Sequence, residues 1–256
     1  MTSHSDTKIQ QMMSSFPRGI VLTTKFLSRN GFDRKLLAYY KSSRWLESFG
    51  DGAYRRRGDN VDWRGALYAM QEQLKLFAHC GARTALDLQG YSHYGEHHPR
   101  ALYLFGTPGR KLPRWFEKYD WGVRVIYKMS RLFPDGMPES FVHVPMGDFT
   151  IRISSPERAA MEMLYHIPSE QGFDEAEHIM ESLLTLRPAL VQELLEVCNS
   201  VKVKRLFMYM TAKNNLPWMK ELDSGRMNLG KGDRTVIKGG RLDPQYRITV
   251  PRNRAG

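Results

Sequence analysis

Apolar positions in the first sixty residues recur at helical spacing and then at strand spacing, and this change of period outlines a small module. Thr23 or Thr24 can cap a short helix through Lys25, Phe26 and Leu27, and Asn30-Gly31 is a turn signal that stops it. Asp33 then caps a second helix, predicted from Arg34 to Arg44. On it Leu36, Leu37 and Tyr40 share one face, while Arg34, Lys35, Ala38, Tyr39 and Ser42 fall on another. A two-faced short helix after a tight turn is the recognition-helix pattern of a helix-turn-helix. Trp45 to Phe49 next alternates as a strand, Gly50-Asp51-Gly52 turns, and Ala53 to Arg57 returns as a second strand. That hairpin is the expected wing, with Trp45, Leu46 and Tyr54 in its own core.

Beyond the wing the pattern alternates between helices and strands. Asp62 to Leu76 carries Trp63, Leu67, Met70 and Leu74 at helical steps. Strands are predicted at 77–80, 101–105, 121–129, 141–144 and 149–153, the last two joined through Pro145 to Asp148, with a helix from Arg83 to Leu88. Ser155-Pro156-Glu157 opens another helix, whose apolar stripe is Ala160, Met161, Leu164 and Tyr165. Helices follow over 174–186, 188–198 and 203–213. The methionines at 161, 163, 180, 208, 210 and 219 fit an adaptable core better than a binding groove. Strand-like runs at 234–238 and 246–250 close a polar tail. The fold class expected is α+β: an N-terminal winged helix-turn-helix over 1–60, followed by a larger mixed α/β domain over 61–256.

Charge sharpens this picture. Residues 1–60 hold eleven Lys plus Arg against five Asp plus Glu, a balance of +6 within a formal net charge of +11. Phosphate contacts supply most non-specific affinity for DNA, so a concentrated positive face favours that partner over a purely protein-binding wing. Residues 225–256 are basic too, with eight Lys plus Arg against two Asp. No apolar run approaches the ~18 residues of a membrane span. The first residues lack a signal or transit pattern, so a cytoplasmic protein with no membrane partner is expected. Cys80 and Cys198 stand far apart and without a Cys-x-x-Cys partner, which points to packed thiols.

Three runs carry a resemblance: WLESFGDGAYRRR at 45–57, VDWRGALY at 61–68 and GARTALDLQGYSHY at 81–94. They resemble the AbiEi family of bacterial antitoxins, and the likeness extends through Leu104-Phe105-Gly106 and the helix at 155–165. The resemblance implies a two-gene system in which this protein opposes a toxin with a nucleotidyltransferase fold. It implies that the winged helix binds double-stranded DNA at inverted repeats in its own promoter and represses it, and that the larger domain carries antitoxicity. Members are described as type IV antitoxins, for which protection need not require a stable complex, so direct contact with the toxin stays open. The implied DNA-binding residues are Arg34, Lys35 and Lys41 in the second helix and Arg55, Arg56 and Arg57 in the wing. Tyr39 and Ser42 face with the basic group, within reach of a phosphate or a base edge.

Catalytic signatures are weak, and no enzyme, cofactor or metal is expected. Gly225 to Lys231 matches the spacing of a phosphate-binding loop, but Gly232 follows where a hydroxyl should bind magnesium, and the flanking strand and helix are missing from the pattern. His93, His97 and His98 with Cys80 invite a zinc reading, against which Gly95 and Pro99 break the required helix. Asp174, Glu175 and Glu177 sit at a helix start, where capping explains them. The alternatives are an enzyme acting on nucleic acid or nucleotides through the basic tail, and a winged-helix regulator without a toxin.

Overall fold

The computed structural model describes residues 4–91 and 101–252, so His93, His97 and His98 lie outside the described residues. The chain begins with helix α1 (His4–Ser15), which the polar sequence did not announce. Met12 on it is fully buried, and it joins Phe16, Leu27, Phe32, Leu37 and Tyr40 in one apolar cluster. Strand β1 (Leu22–Thr23) leads into α2 (Thr24–Arg29), α3 (Arg34–Ser42), β2 (Leu46–Gly50) and β3 (Ala53–Arg56). These strands form an antiparallel sheet in the order β1-β3-β2, the sheet of a winged helix.

Helix α4 (Trp63–Tyr68) continues into a π-helical turn over Ala69–Gln73, so the single helix expected over 62–76 is split into two geometries. Two contacts bind this segment to the winged helix. Gly65 meets the backbone of Gly19, where an added Cβ would lie 1.9 Å from the Gly19 carbonyl oxygen. The buried Gln73 amide accepts from the Thr23 N–H at 2.8 Å and donates to the Val21 carbonyl at 2.6 Å, acting as a side-chain strand partner for β1.

The remaining elements are β4 (Ala78–Cys80), α5 (Ala82–Leu88), β5 (Ala101–Gly106), α6 (Arg114–Lys118), β6 (Arg124–Met129), β7 (Phe141–Met146) and β8 (Phe149–Ser154). Their five strands take the order β6-β5-β4-β8-β7, with β4 parallel to β8 through Cys80 and Ile153. The continuous apolar run of β5 suits its interior place, since a strand covered on both faces has no polar alternation. Ser155 caps α7 (Pro156–Tyr165), with Pro156 in the first turn, where no N–H is needed. Helices α8 (Phe173–Glu181), α9 (Pro188–Val197) and α10 (Val201–Lys213) follow. Helix α8 stops five residues short of expectation, where Ser182 donates to the carbonyls of Ile179 and Tyr91. Met161, Met163, Met180, Met208 and Met210 are core, as their spacing implied, whereas Met219 is only half-buried.

The basic tail pairs β9 (Arg241–Asp243) with β10 (Ile248–Val250), while 234–238 makes an isolated bridge from Arg234 to Ile248 rather than a strand. Buried Arg205 organises this segment by donating to the carbonyls of Leu229, Gly230, Gly232 and Arg247. A phosphate-binding loop needs its N–H groups turned inward. Here carbonyls turn toward a buried guanidinium, and residues 225–231 have no strand before them and no helix after them.

By compactness the chain divides into two units. The first comprises 1–79, 106–124 and 143–152; the second comprises 80–105, 125–142 and 153–256. This differs from a cut at residue 60 in part by keeping 61–79 with the winged helix, to which the Gly65 and Gln73 contacts hold that segment. Among the described residues, no helix is long and apolar enough to cross a membrane.

Candidate nucleic-acid interface

Local chemistry builds the helix-turn-helix. The Thr23 hydroxyl accepts from the Phe26 N–H at 3.3 Å and caps α2, and Asn30 closes that helix. Gly31 then adopts φ +80°, a left-handed conformation that costs glycine little. Lys8 of α1 supports the turn by donating to the Asn30 carbonyl at 3.2 Å while its ammonium sits over the Phe32 ring. The Asp33 carboxylate accepts from the Leu36 N–H at 2.7 Å, which fixes where α3 starts.

From that start the faces of α3 follow. Leu37 and Tyr40 are buried and Leu36 is half-buried, while Arg34, Lys35, Ala38, Tyr39, Lys41 and Ser42 are exposed. The cations of Arg34, Lys35 and Lys41 make no ion pair among the described residues, so their charge is available to an outside anion. Tyr39 presents 54% of its surface, an aromatic plane amid those cations. The Ser42 hydroxyl donates to the Tyr39 carbonyl at 2.8 Å, which leaves it an acceptor.

The wing arginines separate by environment. Arg57 is exposed and its backbone N–H bonds the Trp45 carbonyl at 3.0 Å. Arg55 is half-buried and pairs across the hairpin with Glu47 at 2.9 Å, which offsets part of its charge. Arg56 departs from expectation. It is only 3% exposed, and its guanidinium donates to Asp59 and to the carbonyls of Met12, Met13 and Pro17. Those bonds tie the end of α1 to the wing, so Arg56 belongs to the interior and leaves the basic surface. Trp45 is a second correction: it is 44% exposed, because Arg44 turns left-handed at φ +60° and β2 begins only at Leu46. Leu46 is buried and Tyr54 packs against the core, as expected.

The signals missed were legible in part. Strand alternation puts Arg56 on the opposite face from Arg55 and Arg57. Nothing in the sequence spacing announced Lys8. Among the described residues no group of three His, Cys, Asp or Glu is placed to hold a metal.

The family described as "Transcriptional regulator, AbiEi antitoxin, Type IV TA system" matches residues 99–251, and the one described as "Transcriptional regulator, AbiEi antitoxin N-terminal domain" matches residues 5–96. No match emerges among curated proteins. Among solved structures, the RV2827C protein from Mycobacterium tuberculosis is similar with a TM-score of 0.61 at 12% identity, covering 95% of this chain and 90% of that one. At that identity the likeness speaks for the fold alone.

Proposed function

Because this chain belongs to the AbiEi antitoxin family of type IV toxin-antitoxin transcriptional regulators, we propose that it binds inverted repeats in its own promoter and represses transcription there. Helix α3 is the element that enters the major groove, with Arg34, Lys35 and Lys41 on phosphates and Tyr39 and Ser42 nearest the base edges. Arg57, and less strongly Arg55, extend those contacts from the wing. The observation that carries this reading is the solvent face of α3, where three cations without ion pairs among the described residues surround an exposed tyrosine over a buried Leu37 and Tyr40. The remaining part of the chain is proposed to counteract a nucleotidyltransferase-like toxin, acting in the cytoplasm and without catalysis of its own.

The test is fluorescence anisotropy of the protein on its own upstream DNA, against excess unrelated duplex and across a salt series. Saturable binding that survives the competitor is expected. Arg34→Ala with Lys35→Ala should weaken it and lower the salt slope by roughly one unit for each phosphate no longer neutralised. Binding that disappears under competitor refutes an operator-specific repressor. An adjacent gene encoding a nucleotidyltransferase separates an antitoxin from a regulator without a toxin.

A further inference from the structure

Helix α6 belongs to the same compact unit as the wing, although residues 57–113 and two strands of the other sheet lie between them. The packing is specific. A register slip between Ser48 and Gly50 leaves Phe49 as the extra residue of β2, and a bulge re-aims the side chain it frees. Phe49 points at α6: its ring stacks on Tyr119 with centroids 4.4 Å apart and meets Trp115 edge-on at 6.4 Å. Gly50 completes the fit, since a Cβ there would lie 3.0 Å from the Trp115 Cβ. The wing is therefore braced by an aromatic block.

That brace changes the charge at the wing tip. The turn presents Asp51, the wrong sign for a phosphate. Lys118 comes within 3.8 Å of it, and Lys111 and Arg114 are exposed and make no ion pair among the described residues. Segment 106–124 holds five Lys plus Arg against one Glu and one Asp. We infer that α6 and the loop before it take over the phosphate contacts of the wing tip, with Lys111, Arg114 and Lys118 gripping the DNA backbone beside the site read by α3. The inference rests on the DNA-binding reading above. These contacts carry no base information, so they add affinity without preference.

The experiment is the salt series repeated with the full chain carrying Lys111→Ala, Arg114→Ala and Lys118→Ala. The slope of log K against log salt should flatten by one unit or more, at roughly 0.9 for each phosphate no longer neutralised. Operator and unrelated duplex should weaken by the same factor. An unchanged slope in a variant that melts like the wild type overturns the inference, as does a weakening confined to the operator. If the alanine variant melts early, the three glutamine replacements, which keep the side-chain stems, give the same readout. A wild-type protein with no operator preference sinks the parent reading; operator preference with an unchanged variant slope sinks only the role of α6.

Discussion

Arg56 shows how much one side chain's surroundings decide. Three consecutive arginines read alike as a charge run, yet Arg57 faces solvent, Arg55 is paired, and Arg56 is buried with four partners. Removing one partner of a buried charged network leaves the others unsatisfied, at a cost of about 3 to 5 kcal/mol. Arg56→Ala should therefore lower the unfolding midpoint in denaturant and reduce DNA binding only as far as it unfolds the first unit. Arg57→Ala should do the reverse, leaving stability intact and flattening the salt slope by about one. Equal melting of the two variants would contradict this division. The face of α3 was legible because helical period and capping act on adjacent residues. Arg56 was hidden by composition, although alternation along β3 held the clue.

Among elements, α4 makes a sharp case. Glycine within a helix costs up to about 1 kcal/mol against alanine, so propensity alone predicts that Gly65→Ala stabilises the protein. Packing predicts the opposite sign. A Cβ at residue 65 would lie 1.9 Å from the Gly19 carbonyl oxygen, and backbone atoms cannot yield as a flexible side chain does. Overpacking of this kind typically costs about 1 to 3 kcal/mol. The thermal midpoint of Gly65→Ala should fall, and a rise would show that α4 does not press on that loop. The same comparison explains which elements were legible. Helices α7, α9 and α10 carry long apolar stripes, with Ser155 and Ser200 capping α7 and α10 and Pro188 opening α9, so their spans were read to within two residues. Helices α1 and α6 are polar or very short and owe their place to distant partners, which no local period encodes. Strand β9 is likewise three residues long and depends on its pairing with β10.

At the scale of the molecule, stability should depend on pH through buried groups of the second unit. His166 is buried against the rings of Tyr103 and Phe105, and its Nε2 has no hydrogen-bond partner among the described residues. Burial is the largest cause pulling its pKa down to about 4; Lys128 and Lys202 add to the shift, while Glu162 and Glu170 oppose it. A depressed value means that the unfolded chain binds the proton first. The contribution is complete above pH 6.5 and is lost as pH falls toward 4, on the order of 3 kcal/mol over that window. Glu157 adds to the loss at lower pH. Burial would raise its pKa, but the bonds from Arg187 outweigh that and hold it below the ordinary value. Denaturant titrations at pH 7 and pH 5 should show the wild type weakening, whereas His166→Phe, which keeps a ring in the pocket, should flatten the change between them. An equal pH slope in both proteins would remove His166 from the account.

The guanidinium of Arg56 also sets which parts of the first unit open together. By holding the last carbonyls of α1 and the strand that carries it, this one group makes the end of that helix and the returning arm of the wing a single cooperative unit. In native-state hydrogen exchange, the amides at the end of α1 and in β3 should open with a common free energy instead of fraying from the terminus. Arg56→Ala should uncouple them, so that α1 exchanges early while β3 keeps the protection of its neighbours in the sheet.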